Sequence, residues 1–453
     1  MTIFIHCDRR VSPVVAILAA AVFAGVPLES GSAQPADPNP SPTLSLAQAR
    51  DTAFQKNWDL LAARSGIDAA AAQLIVAKEF PNPTASLSTA KIGAYEGATS
   101  AGNSLWHRSY DTIFAVNQLI EIAGKRHDRQ AAARAGLLGA KARFYDAKRT
   151  LDQGVTKAYL AALLAENNVR ILNESSRLLR HEATIAEARF KAGDISDSDK
   201  KQIEINAEQY ELQAKAAEAA AIQARTAVQV LMGVPQPAGN YISSVSLEEL
   251  LRAPLPAPQP SAAEAARPDV LAAEADLRAA KANLKLQKAI RIPDPTLLIQ
   301  GEHEPPSGGP PADTIGLGIS FPLPLWNHNG GNIQSAQASV DQLAFELGKA
   351  RTQMAADISN AEGEYDEAHA RWFNYRDQTA PKSTQVRESV AFAYEKGGAS
   401  LVDLLQAERT DNDIRLATVQ AMSDTASAMA DLVAARNVLT QATLEKQDSK
   451  SLP

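Results

Sequence analysis

The sequence contains almost no cysteine and few aromatic residues. Of its 453 residues one is a cysteine, Cys7, and aromatic residues make up 5%. A single cysteine near the N-terminus excludes an internal disulfide framework, a zinc site built on several thiolates and a cysteine nucleophile further along the chain. A core with so few aromatic side chains must be built from Leu, Val and Ala, which favours long, closely spaced helices.

Neither sign of charge dominates, and no catalytic motif stands out. Lys and Arg number 45 against 52 Asp and Glu, which gives a net charge of -7. Because nucleic-acid binding needs a basic surface, we do not expect a nucleic acid as partner. There is no HExxH zinc motif, no GxGxxG dinucleotide motif and no phosphate-binding loop. We therefore predict that the protein is not an enzyme and has no cofactor.

The N-terminal residues 1–33 are typical of a secretory signal peptide. Arg9 and Arg10 precede the apolar stretch Val14–Gly25, and Gly31–Ala33 offers small residues for cleavage. The alternative is an uncleaved anchor helix. Beyond this segment we expect no run long and apolar enough for a transmembrane helix, so any membrane crossing must use β-strands.

The chain repeats its own plan after about 200 residues, a spacing much longer than that of solenoid repeats. Three pairs of matching segments occur in the same order: Asp59–Ala63 with Asp269–Ala273, Pro81–Thr84 with Pro293–Thr296, and Phe190–Ser196 with Tyr394–Ser400. We therefore predict a first repeat at 44–232 and a second at 262–443. The remaining parts are a linker at 34–43, an equatorial segment at 233–261 and a flexible tail at 444–453.

Each repeat is predicted to contain two strands, at about 84–95 and 110–119 and at about 296–304 and 313–321. In the last strand apolar residues at every second position alternate with small or polar ones: Ile315, Leu317, Ile319 and Phe321 against Gly316, Gly318 and Ser320. This alternation suits the wall of a membrane β-barrel, although an ordinary half-buried strand shares it. Because small barrels need about eight strands, several chains would have to share one barrel.

Two stretches are long enough to form helical columns. Gly124–Lys191 lacks proline, as does Gly330–Glu395 apart from Pro381, where we expect a kink or local break. About 65 helical residues span about 100 Å, far more than a globular helix. Helices at Ser196–Met232 and Ser400–Thr443 return, and helices at Leu44–Lys78 and Ala262–Ile290 stack end to end with them. Each repeat would then supply two columns of similar length.

Tyr394–Gln406, with the sequence YEKGGASLVDLLQ, resembles the turn between the last two tunnel helices of the TolC family of outer-membrane efflux proteins. The resemblance extends over about Leu44–Thr443. Ile120–Arg126 and Phe321–Asn329 look like the CzcC-like branch, which serves cobalt–zinc–cadmium efflux. The implied fold is mainly α with a membrane β-barrel portion: an α-helical barrel and a shared 12-stranded β-barrel, formed as a trimer.

The resemblance also implies a place and a role. The place is the outer membrane of a Gram-negative bacterium, in contact with its lipid and with the helical tunnel in the periplasm. The role is a passive exit duct for small solutes, most of all heavy-metal cations, with a periplasmic adaptor (membrane fusion) protein and an inner-membrane RND pump as partners. Drug efflux and type I secretion are alternatives within the same class. A soluble periplasmic coiled-coil scaffold or adaptor is the alternative from another class.

Asp199 and Asp403 occupy matching places, each six residues after a glycine of a predicted tip turn. The resemblance implies that they form rings of carboxylates at the periplasmic aperture, which would attract cations and raise their own pKa values by mutual repulsion. Alternatively, each is a helix-N-terminal carboxylate favoured by the helix dipole. Gln406 and Ala399 stand where the family has a second aspartate and an arginine, which predicts a weaker ring and no salt-bridge latch at Ala399.

Gly193, Gly397 and Gly398 mark the two tip turns, where a tight connection between helices needs a positive φ. The resemblance implies that these tips dock the adaptor, with Lys191 and Lys396 near its carboxylates; the alternative is that these lysines are simply solvated. Glu302-His303-Glu304 is not predicted to bind metal, because successive residues of a strand point to opposite faces and only Glu302 and Glu304 would face together.

Overall fold

The computed structural model describes residues 42–90, 111–252, 267–304 and 312–437. In this part of the chain the fold is mainly helical, which confirms the predicted class. The predicted signal peptide (1–33), the outer ends of the strand hairpins and the predicted tail lie outside the described residues.

One order, a helix, two strands, a long helical column and a returning helix, occurs twice in the described chain, with short elements before each copy. The helices are α1 (Leu46–Lys56), α2 (Trp58–Lys78), α3 (Lys125–Ala192), α4 (Asp197–Leu231), α5 (Leu247–Leu251), α6 (Pro268–Ala289), α7 (Gly330–Asn374), α8 (Ala380–Glu395) and α9 (Leu401–Ala435). The strands are β1 (Thr43–Leu44), β2 (Thr84–Ala90), β3 (Asp111–Leu119), β4 (Ile242–Ser243), β5 (Thr296–Glu304) and β6 (Ala312–Ser320). A π-helical turn, Tyr375–Thr379, joins α7 to α8.

The helix expected at Leu44–Lys78 is wrong as a single element, because the chain leaves the helical conformation at Asn57. The Asn57 side chain accepts a hydrogen bond from the Leu60 N–H at 3.0 Å and so caps the start of α2. Its amide also donates to the Leu231 carbonyl at 3.0 Å, at the end of α4. The break therefore fixes α1 and α2 against the returning helix of the same repeat.

The long helix α3 is the spine of the chain. Its 68 residues span about 100 Å, and α2, α4, α6 and α9 all pack against it. The main apolar core lies at its middle, where Val155 and Tyr159 meet Ala53 of α1, Val228 of α4 and Met422 of α9. The two-residue parallel pair β1–β4 and the short α5 close over this core.

The break expected at Pro381 is confirmed. Proline has no N–H to give to the carbonyl four residues earlier, and its ring crowds that carbonyl. The helix widens just before it, where the Ala380 N–H donates to the Tyr375 carbonyl, five residues back. Pro381 then lies in the first turn of α8, a position that tolerates proline.

Four of the strands form one antiparallel sheet in the order β2-β3-β5-β6. Each repeat contributes a hairpin, and the two hairpins meet where Val116 of β3 pairs with Ile299 of β5. Ile299 pairs in turn with Leu317 of β6. Within the described chain β2 and β6 are the edges of this sheet.

The sheet has two faces of opposite character, because residues paired across strands share a face. The face called apolar below carries Leu87, Phe114, Val116, Leu297, Ile299, Ile315, Leu317 and Ile319. Leu317 is 81% exposed, so no part of the chain that the structure describes covers it. The opposite face carries small and polar residues such as Ser86, Asn117 and Gln300. A Cβ at Gly316 would lie 2.9 Å from the Gln300 side chain, so this face is crowded where the other is open.

The expectation that no segment beyond the N-terminus is long and apolar enough to cross a membrane is wrong for one helix. By length and composition alone, α2 is long and apolar enough. It lies along α3, and its exposed apolar side chains include Ile75 and Val76.

Candidate functional site

The predicted tips are two turns that end one long helix and begin the next. Gly193 follows α3 with φ of +84°, and Gly397 follows α8 with φ of +78°. No atom would contact a Cβ placed on either residue. Glycine is therefore required by the left-handed backbone at both turns and not by a lack of space.

Asp199 and Asp403 occupy the same position in two capping boxes. The Asp199 N–H donates to the Ser196 hydroxyl at 3.1 Å, and the Asp199 carboxylate accepts from the Ser196 N–H at 3.4 Å. The corresponding distances between Asp403 and Ser400 are 3.2 and 3.1 Å. Within one chain both aspartates thus act at a helix N-terminus, as the alternative interpretation had it. The spacing Ser-x-x-Asp is a signal in the sequence that could have located these boxes.

The electrostatics of Asp403 differ from those expected of a ring. Hydrogen bonds from the Ser400 hydroxyl and backbone N–H hold the pKa of the exposed Asp403 carboxyl below its ordinary value. Asp403 is therefore charged at neutral pH. An upward shift by mutual repulsion needs carboxylates from other copies, so that part of the prediction stays a prediction.

The structure brings the two tips together, which the sequence did not specify. Ala186, Ile203, Tyr394, Leu401 and Leu404 form one small core that joins α3, α4, α8 and α9 just above the turns. At its edge the Arg189 guanidinium lies over the Tyr394 ring at 5.0 Å from the ring centroid. Neither residue was predicted, because only the packing of the two hairpins makes them neighbours.

The two predicted tip lysines are exposed and pair with carboxylates of their own helices. Lys191 lies 2.9 Å from Glu187, and Lys396 lies 3.8 Å from Glu395. Exposed pairs of this kind contribute little to stability, about 0 to 1 kcal/mol. The ammonium groups can therefore exchange these carboxylates for others at small cost.

A groove of about 680 Å³ runs along α8 and α9 from the π-helical turn to the tip. Val386 and Val390 contribute to its apolar wall. Asp403 supplies the one carboxylate among its lining residues, and Ala399 and Gln406 line it too. The three positions that the family resemblance singled out on α9 and its turn therefore share one surface.

A buried charge layer, Arg387, Glu408 and Asp411, lies about two helical turns above Asp403. The Arg387 guanidinium of α8 is within 3.5 Å of the Glu408 carboxylate and 3.3 Å of the Asp411 carboxylate, both on α9. Asp411 also accepts a hydrogen bond from the Ser383 hydroxyl at 3.0 Å. Burial raises the pKa of Glu408, and Arg387 opposes that shift. This layer, which the sequence analysis missed, joins α8 to α9 by charge.

The tripeptide Glu302-His303-Glu304 shows a different arrangement from a metal site. His303 lies at the end of the apolar face, where its Nδ1 is 2.7 Å from the Asp313 carboxylate across the β5–β6 pair. The described residues contain no group of three or more His, Cys, Asp or Glu side chains placed to hold a metal ion.

Helical columns about 100 Å long that end in packed tips, with an amphipathic sheet at their other end, are typical of a membrane-inserted channel protein. The chain belongs to the outer membrane efflux protein family, whose model matches residues 49–234 and 259–438. It is accordingly an efflux channel protein of the Gram-negative outer membrane, with its helical part in the periplasm, and it is not an enzyme. The predicted family, class and location are confirmed.

Known proteins agree with this assignment. The cobalt-zinc-cadmium resistance protein CzcC of Cupriavidus metallidurans is 24% identical over 368 residues, which cover 81% of this chain and 84% of CzcC. The crystal structure of CusC, which forms a transmembrane channel, has a TM-score of 0.74 at 18% identity over 86% of this chain and 91% of CusC. The open-state MtrE outer membrane channel of Neisseria gonorrhoeae has a TM-score of 0.70 at 20% identity over 86% of this chain and 88% of MtrE.

Proposed function

We propose that three copies of the chain form one duct, a 12-stranded β-barrel in the membrane continued by an α-helical barrel in the periplasm. The observation that carries this proposal is the four-stranded sheet, which has one exposed apolar face and two edges without a partner in the described chain. Four strands cannot close a barrel, and open edges do not persist in lipid. β6 of one copy would pair with β2 of the next.

The helices support the same assembly. In the half nearest the sheet α2 and α7 are the outermost helices, since α2 packs on α3 and α7 on α6. Both expose apolar side chains, including Trp58 and Ile75 on α2 and Phe345 on α7. In a ring of three copies α7 of one subunit would cover α2 of the next. The apolar surface of α2 would then be buried in protein.

At the tips, Asp403 and Asp199 would line the aperture, and the turns would dock the adaptor. The exposed, ionised Asp403 carboxylate beside the groove supports the first role. The left-handed turns at Gly193 and Gly397, the second followed by Gly398, and the weakly held Lys191 and Lys396 support the second. An inner-membrane RND pump would supply the free energy, because nothing in a passive duct can.

Heavy-metal cations are the cargo that we propose. The likeness to CzcC, a cobalt-zinc-cadmium resistance protein, supports this cargo over drugs or secreted proteins. A strain lacking the protein should lose tolerance to zinc, cobalt or cadmium while its tolerance to hydrophobic antibiotics stays unchanged. The opposite result would assign the channel to a drug pump.

Conductance in planar bilayers tests the duct itself. The purified protein should form cation-selective channels, and Asp403→Asn should lower the selectivity for cations because it removes one charge per subunit at the aperture. Asp197→Asn is the matched control, since Asp197 is equally close to a tip but is paired with Lys201 at 2.6 Å. Equal selectivity in both variants would remove Asp403 from the aperture, and absence of any conductance would contradict the duct.

A further inference from the structure

The apolar face of the sheet is short for a membrane wall. On β6 it extends from Ile315 to Ile319, four residue steps or about 13 Å along the strand. At the outer end it stops at the charged pair His303–Asp313. The apolar band of an outer-membrane barrel is about 25 Å tall. Among the described residues, further apolar surface lies beyond the inner end of the strands, toward the helices.

An exposed apolar segment, Phe321–Trp326, follows β6 at that inner end and is called the strap below. Phe321, Leu323 and Leu325 are 54%, 65% and 62% exposed, and Trp326 is 91% exposed. Two prolines fix an extended path, and a hydrogen bond from the Leu325 N–H to the Leu323 carbonyl at 2.9 Å closes a three-residue turn. Eight residue steps from Ile315 to Leu323 span about 26 Å, which matches the height of the band.

The distribution of charged residues along the chain agrees with an apolar band that includes the strap. No Asp, Glu, Lys or Arg occurs between Asp313 and Asp341, so the strand, the strap and the start of α7 are free of formal charge. The strap ends in Trp326 followed by Asn327 and His328. Tryptophan next to polar residues is typical of the boundary between the hydrocarbon and the headgroups.

The first repeat offers a smaller version of this surface. On β3 the apolar face carries Phe114 and Val116. After the polar Gln118 the even-numbered row continues beyond the strand with Ile120 and Ile122, which are 40% and 38% exposed. Phe80, just before β2, is also exposed and is stacked under the Arg126 guanidinium at 3.7 Å. Both repeats thus continue the apolar face below the sheet.

We propose that the strap is inserted in the periplasmic leaflet of the outer membrane and binds lipid acyl chains, with Trp326 at the level of the headgroups. The continuity of the strap with the apolar face favours lipid over a protein partner as the occupant. The inference rests on the location in the outer membrane and on the sheet as its lipid-facing wall.

The experiment uses tryptophan fluorescence in the full-length protein reconstituted in lipid vesicles. The chain has four tryptophans, and a variant with Trp58→Phe, Trp106→Phe and Trp372→Phe retains Trp326 as the single reporter. The matched control retains Trp58 instead, which is 70% exposed at the start of α2, one helix length of about 30 Å from the sheet. Conductance of each variant shows whether it still forms a channel.

In vesicles of phosphatidylcholine brominated near the ester end of its acyl chains, Trp326 emission should fall by at least about twofold, whereas Trp58 emission should not change. Quenching of Trp326 by aqueous iodide without quenching by the brominated lipid would overturn the proposal and place the strap in water. Protection from both quenchers would overturn it too, because a neighbouring subunit would then cover the strap. If the variants still conduct ions while giving one of these two results, the proposed duct stands and only the insertion of the strap in lipid is rejected.

Discussion

The two long columns of the chain hold matching places in the order of elements but are built differently. α3 is a single helix of 68 residues, whereas the matching column is interrupted by a π-helical turn between α7 and α8. Arg177 in α3 lies sixteen residues before Gly193, as Pro381 lies sixteen residues before Gly397. At this matching position the unbroken column has an arginine and the interrupted column has a proline.

The packing of the two columns shows where a break is tolerated. α3 lies between other helices and buries residues along most of its length, from Ala135 to Ala186. α7 is an edge helix, and its buried residues are Ala336, Val340, Ala361 and Ala368. Below the break, the buried charge layer binds α8 to α9. The first hairpin therefore contains an unbroken helix, whereas in the second a break is followed by a buried layer of ion pairs.

Placing a proline at the matching position of α3 should have the largest effect on stability. Arg177→Pro removes one helical hydrogen bond and crowds a carbonyl in the interior of α3, at a cost of about 3 kcal/mol or more. Because the Arg177 side chain is exposed, Arg177→Ala removes little packing and serves as the control. The midpoint of thermal unfolding, followed by circular dichroism, should fall sharply for the proline variant alone. An unchanged midpoint would show that α3 tolerates a break as well as the second column does.

Breaking the charge layer should come next. Arg387→Ala leaves Glu408 and Asp411 buried beside each other without their cation, a change that costs on the order of 3 kcal/mol in buried pairs. Hydrogen exchange should rise in α8 and α9 and stay unchanged in the sheet-side half of α3. Arg409→Ala, whose side chain is exposed and 3.9 Å from Asp413, is the matched control. Equal exchange in both variants would mean that apolar contacts alone hold the second hairpin.

A dependence on pH is the smallest expected effect. The Glu408 carboxyl faces Arg387 of α8, Asp411 of α9, Glu182 of α3 and Tyr210 of α4. Burial raises its pKa above the ordinary value of 4.5, and Asp411 and Glu182 add to the shift while Arg387 opposes it. The folded state therefore binds this proton more tightly than the unfolded chain. Its stabilising contribution is present below the ordinary pKa and is lost as the pH rises through the raised one.

Glu408→Gln should remove this contribution to the pH dependence, so that the difference in thermal midpoint between the variant and the wild-type protein changes across that pH window. Glu388→Gln, at an exposed carboxylate 3.4 Å from the same arginine, should show no such change relative to wild type. A constant difference for both variants would exclude Glu408 as the titrating group.

Local signals in the sequence predicted much of the fold. The alternation from Ile315 to Ile319 predicted an amphipathic strand, the proline-free stretches predicted the long helices, and Pro381 predicted the break. Each of these features depends on residues that are neighbours along the chain. The break at Asn57 has a local signal as well, a capping asparagine before an apolar run, but that signal is common and was not recognised.

Contacts between distant residues were not predictable from one sequence. Lys125 belongs to the segment Ile120–Arg126 that suggested the metal-efflux branch, and its buried ammonium lies 2.8 Å from the Asp294 carboxylate of the second repeat. Arg387 meets Glu408 only because α8 and α9 fold back on each other. Such pairs depend on which faces of the helices meet, and helical periodicity alone does not specify that.

Cross-linking of the sheet edges between copies tests the proposed shared barrel most directly. Because Cys7 is the only cysteine in the sequence, a cysteine at Leu87 of β2 combined with cysteines placed singly along β6 from Thr314 to Ile319 would report on pairing between chains. Oxidation in outer membranes should give covalent dimers and trimers on denaturing gels for at least one position, with no larger species. Monomers at every position would contradict a barrel closed by β2 and β6 of neighbouring subunits.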